Sequence, residues 1–165
     1  MVKEIYFAGG CFWGVEKFFG LVDGVISTEV GYANGNTLNP TYEQVCRENT
    51  GHAEAVKVIY DSSKVSLKSL LQKFFLVINP YSINRQGADV GVQYRTGVYY
   101  VEDSDYEDIK NFIDEAKSKS SHKIAVEVLK LDNYYKAEEY HQKYLSKNPF
   151  GYCHLSKKDF DLANK

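Results

Sequence analysis

Cys11, Glu54 and Cys153 are the residues whose types and settings could do chemistry in this chain. Cys11 stands in Gly9-Gly10-Cys11-Phe12-Trp13-Gly14, between an apolar strand-like run (Ile5 to Ala8) and a helical-looking segment (Val15 to Phe19). A strand-to-helix turn offers free backbone N–H groups and the positive end of a helix dipole, and both favour negative charge. The thiolate is the reactive form of cysteine, so this position predicts a depressed thiol pKa and a nucleophile. Glu54 falls in a strand-like stretch, His52 to Tyr60, whose alternation puts Glu54, Val56, Val58 and Tyr60 on one face. A carboxyl that shares a core face loses its hydration and tends to keep its proton. Cys153 lies two residues after Gly151 in a C-terminal stretch without clear period. A second thiol there can reach the first if the Cα atoms come within about 7 Å. The two would then act as attacker and resolver through a sulfenic acid.

The remaining composition narrows the choices. Cys46 has no helix-start setting and reads as a packed bystander. Three cysteines without a CxxC or a secretory h-region argue against a disulfide framework. No histidine stands at zinc-ligand spacing beyond the bare Cys153-His154 pair, so no metal is expected. His52 and His141 read as structural and His122 as solvated. A net charge of −2 gives no basic footprint for nucleic acid. No apolar run approaches the roughly 20 residues of a membrane span, so a cytoplasmic monomer is the expectation. The 14 tyrosines can supply phenolic donors to an apolar pocket.

The positioning elements follow from periodicity. Strands are predicted at the N-terminus, over Val25 to Ala33, over His52 to Tyr60, over Gly97 to Val101 and around Ile124, Val126 and Val128. Ser66 caps an amphipathic helix that Asn79-Pro80 ends, and residues 104–118 form another. Tyr134 to Ser146 carries a helical stripe through Ala137, Tyr140, His141, Tyr144 and Leu145. Residues 81–94 read as one long loop, and long ordered loops often carry function. The order predicts one α+β domain over residues 1–165. It is a two-layer sandwich with a ferredoxin-like βαββαβ core, extra helices and an irregular C-terminal tail.

Six motifs together resemble one family. They are Gly10-Cys11-Phe12-Trp13-Gly14, Gly31-Tyr32-Ala33 with Asn39-Pro40-Thr41-Tyr42, Thr50-Gly51-His52-Ala53-Glu54-Ala55, Asn84-Arg85-Gln86-Gly87, Gln93-Tyr94-Arg95 and Asn148-Pro149-Phe150-Gly151-Tyr152-Cys153. In this order, from near residue 5 to about 155, the chain resembles the peptide methionine sulfoxide reductase A family. The resemblance implies that Cys11 attacks the sulfoxide sulfur, while Phe12 and Trp13 wall the pocket for the substrate's methyl group. It implies that Glu54 gives a proton to the sulfoxide oxygen, with Tyr42 and Tyr94 as further donors and Asp89 shaping the site. It implies a Cys11–Cys153 disulfide reduced by thioredoxin, no bound cofactor, and preference for the S epimer of methionine sulfoxide. The pattern differs at Ile78-Asn79-Pro80, where similar proteins carry His-Asp-Pro, and at Asn34, where many have glycine.

Two other classes remain open on the residues alone. A cysteine hydrolase or acyl-transferase would use Cys11 with a histidine base, His52 or His141, although nothing in the sequence orients either. That reading leaves Glu54 and Cys153 unexplained, and a non-enzymatic redox-sensing or peptide-binding module using the Tyr-rich surface explains the cysteines less economically.

Overall fold

Alternating burial builds the centre of the molecule. The computed structural model describes residues 1–165. Strand β1 (Val2–Gly9) turns Ile5 and Phe7 to the main core and Tyr6 and Ala8 to a smaller cluster behind the sheet. Gly10, at φ +86°, then bends the chain into helix α1 (Phe12–Gly20) through a conformation that side chains resist. Strand β2 (Val25–Ala33) is followed by helix α2 (Tyr42–Arg47) and strand β3 (Ala53–Asp61). Helix α3 (Leu67–Val77) starts at Ser66, whose hydroxyl accepts the Ser69 N–H as predicted. A small hairpin, β4 (Arg85–Gln86) with β5 (Asp89–Val90), precedes β6 (Thr96–Tyr100). Helix α4 (Asp103–Lys119) leads to β7 (Glu127–Lys130), parallel to β6. Strand β8 (Tyr134–Lys136) and the short helices α5 (Tyr144–Lys147) and α6 (Lys157–Asp161) complete the chain.

The sheet runs β7-β6-β1-β3-β2-β8. Its inner four strands, β6-β1-β3-β2, pair antiparallel with one another, which is the ferredoxin-like arrangement expected from the element order. One face carries 28 buried residues under the helices, including the stacked rings of Phe7 and Phe19 at 4.4 Å with Phe74 4.8 Å from Phe7.

Three expectations change. Tyr134 to Ser146 is not one helix: β8 pairs with β2, a single turn holds Glu139–His141, and Lys143 at φ +54° breaks the path before α5. The apolar stripe was real, but its residues pack from strand, turn and helix in succession, because β2 had an open edge to fill. The strand near Ile124 begins only at Glu127, while Ile124 and Val126 are buried in the approach to it. The loop over residues 81–94 contains the β4–β5 hairpin and a turn at Val92–Tyr94. Helix α2 was not predicted, although Thr41 and Gln44 form a complete capping box there.

Phe74→Ala should lower stability by about 3–5 kcal/mol, because it empties the centre of the ring cluster. A urea titration that gives a loss under about 1 kcal/mol would show that the site collapses freely.

Candidate active site

Cys11 is the N-cap of α1 and only 6 % exposed. Its helix-start position matches the prediction, but its ionisation does not. Burial pushes the thiol well above its ordinary pKa, and the Glu54 carboxyl pushes it further; the Trp13 backbone N–H opposes them only in part. Asp89 and Cys153 add to the upward shift. The expected depressed thiol is therefore replaced by a neutral one. A helix start is a partial charge, and desolvation beside carboxyls outweighs it.

Glu54 projects from β3 exactly one alternation from Val56, and it is 1 % exposed. Its Oε1 accepts the Phe12 N–H at 3.2 Å, tying strand β3 to the residue after Cys11. Oε2 is buried without a partner. Burial raises the carboxyl to about 8, the Phe12 N–H lowers it, and Asp89 raises it again. Glu54 is thus a neutral acid at pH 7.

Aromatic rings enclose this pair. Phe12 is fully buried, with Tyr32 at 5.8 Å and Tyr42 at 6.5 Å between centroids. Trp13 is half-buried, stacks on Tyr144 at 3.8 Å and donates its indole N–H to His141 Nδ1 at 3.0 Å. His141 is buried from water and packs on Tyr42 at 4.4 Å. The Tyr42 and Tyr94 phenols are raised by burial first and by Glu54 next, so both remain donors. Glu138 fixes the start of α2 by accepting the Tyr42 N–H at 2.9 Å and the Tyr32 hydroxyl at 2.7 Å.

The tail closes the other side. Cys153 Sγ packs onto Gly14, where an added Cβ would stand 2.9 Å from it. Tyr152 donates its hydroxyl to Asp89 at 2.9 Å, and His154 Nε2 lies 3.1 Å from the Gly9 carbonyl oxygen. Cys11 and Cys153 are both free thiols. The structure thus gathers Cys11, Phe12, Trp13, Tyr42, Glu54, Tyr94, Asp89 and Cys153 around the first turn of α1. His52 lies elsewhere, with Nε2 on the Thr37 carbonyl at 2.8 Å, and His141 is engaged by Trp13; neither hydrogen-bonds Cys11. A hollow of about 340 Å³ beside Trp13 runs past Glu16 and Lys143 without including Cys11.

Comparison with known proteins decides the family. The family model described as peptide methionine sulfoxide reductase matches residues 3–164. This chain belongs to that family. A peptide methionine sulfoxide reductase MsrA from Lachnoclostridium phytofermentans is 56 % identical over 163 residues, covering 99 % of this chain and 98 % of its own. An MsrA of Clostridium perfringens is 61 % identical over 154 residues, covering 93 % and 98 %. Among solved structures, reduced Mxr1 from Saccharomyces cerevisiae superposes with TM-score 0.89 at 36 % identity, over 94 % of this chain and 91 % of that one. Methionine sulfoxide reductase A of Corynebacterium diphtheriae gives 0.88 at 37 % identity, over 92 % and 77 %. Mxr1 has also been solved in complex with Trx2; that chain matches with TM-score 0.62 at 25 % identity, over 87 % and 84 %.

As a peptide methionine sulfoxide reductase, the protein is a thiol-dependent oxidoreductase, and the hydrolase reading loses both of its bases, His52 to the Thr37 carbonyl and His141 to Trp13. Several residues named from the sequence support the site through contacts that the sequence did not reveal. His141 was read as structural, and its contact with Trp13 depends on the β8 turn that the helical stripe concealed. Cys46, read as a packed bystander, is half-buried beside the Tyr42 phenol. Gln86 holds the 79–94 segment by accepting the Asn79 N–H at 2.9 Å and donating to its carbonyl at 2.8 Å. Asn79 itself accepts the Tyr81 N–H at 3.0 Å, a bond an aspartate oxygen would make equally well. Asn34 adopts φ +55° and accepts the Asp132 N–H at 2.7 Å, so it serves the left-handed turn where glycine was the alternative.

The raised Glu54 pKa has a consequence for stability. The folded protein holds this proton up to about 8 while an unfolded glutamate releases it near 4.5. Stability from this group is therefore full below about 4.5 and falls as pH rises to about 8. Glu54→Gln removes that loss, so its urea midpoint should exceed the wild-type value increasingly from pH 5 to 8 and level off above. A gap that is flat with pH would contradict a buried neutral acid.

Proposed function

We propose that this reductase converts the S epimer of methionine sulfoxide, free or in proteins, to methionine through a Cys11 sulfenic acid. Cys153 then resolves the sulfenic acid as a disulfide, and thioredoxin reduces it. The observation that carries the reading is a neutral, water-excluded Glu54 carboxyl held on the backbone of the residue next to Cys11. A sulfoxide oxygen is a weak base and leaves sulfur only when protonated, so an acid that keeps its proton at neutral pH suits the step.

In this scheme the Cys11 sulfur attacks the sulfoxide sulfur while Glu54 protonates the oxygen. Tyr42 and Tyr94 add hydrogen bonds to that oxygen. The proton lost from the Cys11 thiol restores Glu54, so no net charge is left in the buried site. The oxygen passes to Cys11, whose sulfur is oxidised by two electrons as the substrate sulfur is reduced by two. A neutral resting thiol fits this coupling, because the thiolate forms only as the substrate oxygen takes up a proton. Phe12 and Trp13 receive the S-methyl group, and Asp89 shapes the site through the Tyr152 hydroxyl. Cys153 attacks the sulfenic acid, water leaves, and a dithiol of about −270 mV such as thioredoxin restores both thiols. The complex of Mxr1 with Trx2 supports that partner. No helix is long and apolar enough to cross a membrane, and a monomer in the reducing cytoplasm is the proposed setting.

Turnover of each resolved epimer with thioredoxin tests the reading: the S epimer should be reduced and the R epimer left. Ester or amide hydrolysis without reduction of either would overturn it. In single turnover, Glu54→Gln should slow methionine formation by about 100-fold or more with little change in binding. The wild-type rate should fall as pH rises through about 8, and an unchanged rate in the variant would remove Glu54 from the acid role.

A further inference from the structure

His154 has no part in the scheme above, yet its ring is enclosed beside the resolving thiol, with a side chain 5 % exposed. Resting on the proposed resolver role of Cys153, we propose that His154 is the base that takes the Cys153 proton during disulfide closure. Three observations converge on this role. First, Nε2 lies 3.1 Å from the Gly9 carbonyl oxygen, which can only accept, so Nε2 carries the hydrogen and Nδ1 has the lone pair. Second, Nδ1 is buried and has no hydrogen-bond partner. Third, Nδ1 and Cys153 Sγ descend on the same bare glycine: a Cβ at Gly14 would meet Sγ at 2.9 Å and Nδ1 at 3.4 Å.

The surroundings fit a transient imidazolium. Asp89 Oδ2, also without a hydrogen-bond partner, stands 4.0 Å from Nδ1. The titratable groups around the ring are Asp89 from β5, Asp159 from α6 and the Cys153 thiol, with Lys17 of α1 acting on that thiol. Burial lowers the His154 pKa, which keeps the ring neutral and basic, while Asp89 pulls it back upward. Burial also raises the Cys153 thiol, and the Leu155 N–H at 3.4 Å and Lys17 oppose this only in part. A thiol so placed needs a proton acceptor before it can attack.

The step balances without another reagent. Cys153 gives its thiol proton to Nδ1, and its sulfur attacks the Cys11 sulfur. The S–S bond forms as the S–O bond breaks. The hydroxyl leaves as water with a proton from Glu54, while His154 passes its proton to solvent and Glu54 is reprotonated from solvent.

The ring could instead serve only as a tether to Gly9, and His154→Gln separates the two roles. Glutamine can place its amide N–H on the Gly9 carbonyl but offers no base. Reduced His154→Gln mixed with one equivalent of methionine sulfoxide should form methionine at the wild-type rate. Its disulfide should then form at least about 10-fold more slowly at pH 7, with a deficit that shrinks as pH rises. Disulfide closure at the wild-type rate, or a deficit equal at all pH values, would leave His154 as a tether and overturn the proposal. Peptide mapping of the oxidised wild type keeps the underlying reading distinct: a Cys11 partner other than Cys153 would defeat the resolver assignment itself.

Discussion

The site depends on one bond between two distant parts of the chain, the Phe12 N–H donated to Glu54. It fixes the first turn of α1 against β3, and it supplies the only hydrogen bond that the buried carboxyl receives. A carboxylate there would lack the several donors that a buried anion needs, so the group stays protonated. The same burial keeps Cys11 neutral. The Cys11 thiol and the Glu54 carboxyl are therefore both held in their uncharged forms, with the carboxyl adding to the rise of the thiol. In the proposed scheme, charge separation is deferred until a substrate oxygen can accept a proton.

Around that pair the fold supplies rigid walls from several elements. The Trp13 indole is fixed twice, by the Tyr144 stack and by His141. Both partners follow β8, and Lys143 between them holds its left-handed turn by donating its N–H to buried Glu16 at 2.7 Å, three residues beyond Trp13 on α1. The edge strand β8 thus matters to the site through what it positions after it. On the opposite side, Tyr152 and His154 fasten the tail to Asp89 and Gly9, which carries Cys153 onto Gly14 without a regular element.

Much of this was legible in the sequence. Alternation through Glu54, Val56, Val58 and Tyr60 put the carboxyl on the core face, because a strand has only two faces and one of them was plainly apolar. The ferredoxin-like core followed from element order for a similar reason. Less legible were properties set by three-dimensional enclosure. The helix-start position of Cys11 predicted a depressed thiol, since neighbouring sequence cannot reveal how deeply a turn is buried or which carboxyls face it. The stripe through Ala137, Tyr140, His141 and Tyr144 predicted a helix, because an edge strand waiting for a partner leaves no local trace. His154 offered only its adjacency to Cys153; its fixed tautomer depends on the Gly9 carbonyl, across 145 residues of chain.

The protonation state of Glu54 is the measurement on which this account turns. Infrared difference spectra between wild type and Glu54→Gln, followed through pH, would report the protonated carboxyl directly. A carboxylic-acid band should be present at pH 7 and disappear with a midpoint near 8. A carboxylate already formed at pH 6, titrating near the ordinary value of 4.5, would contradict it.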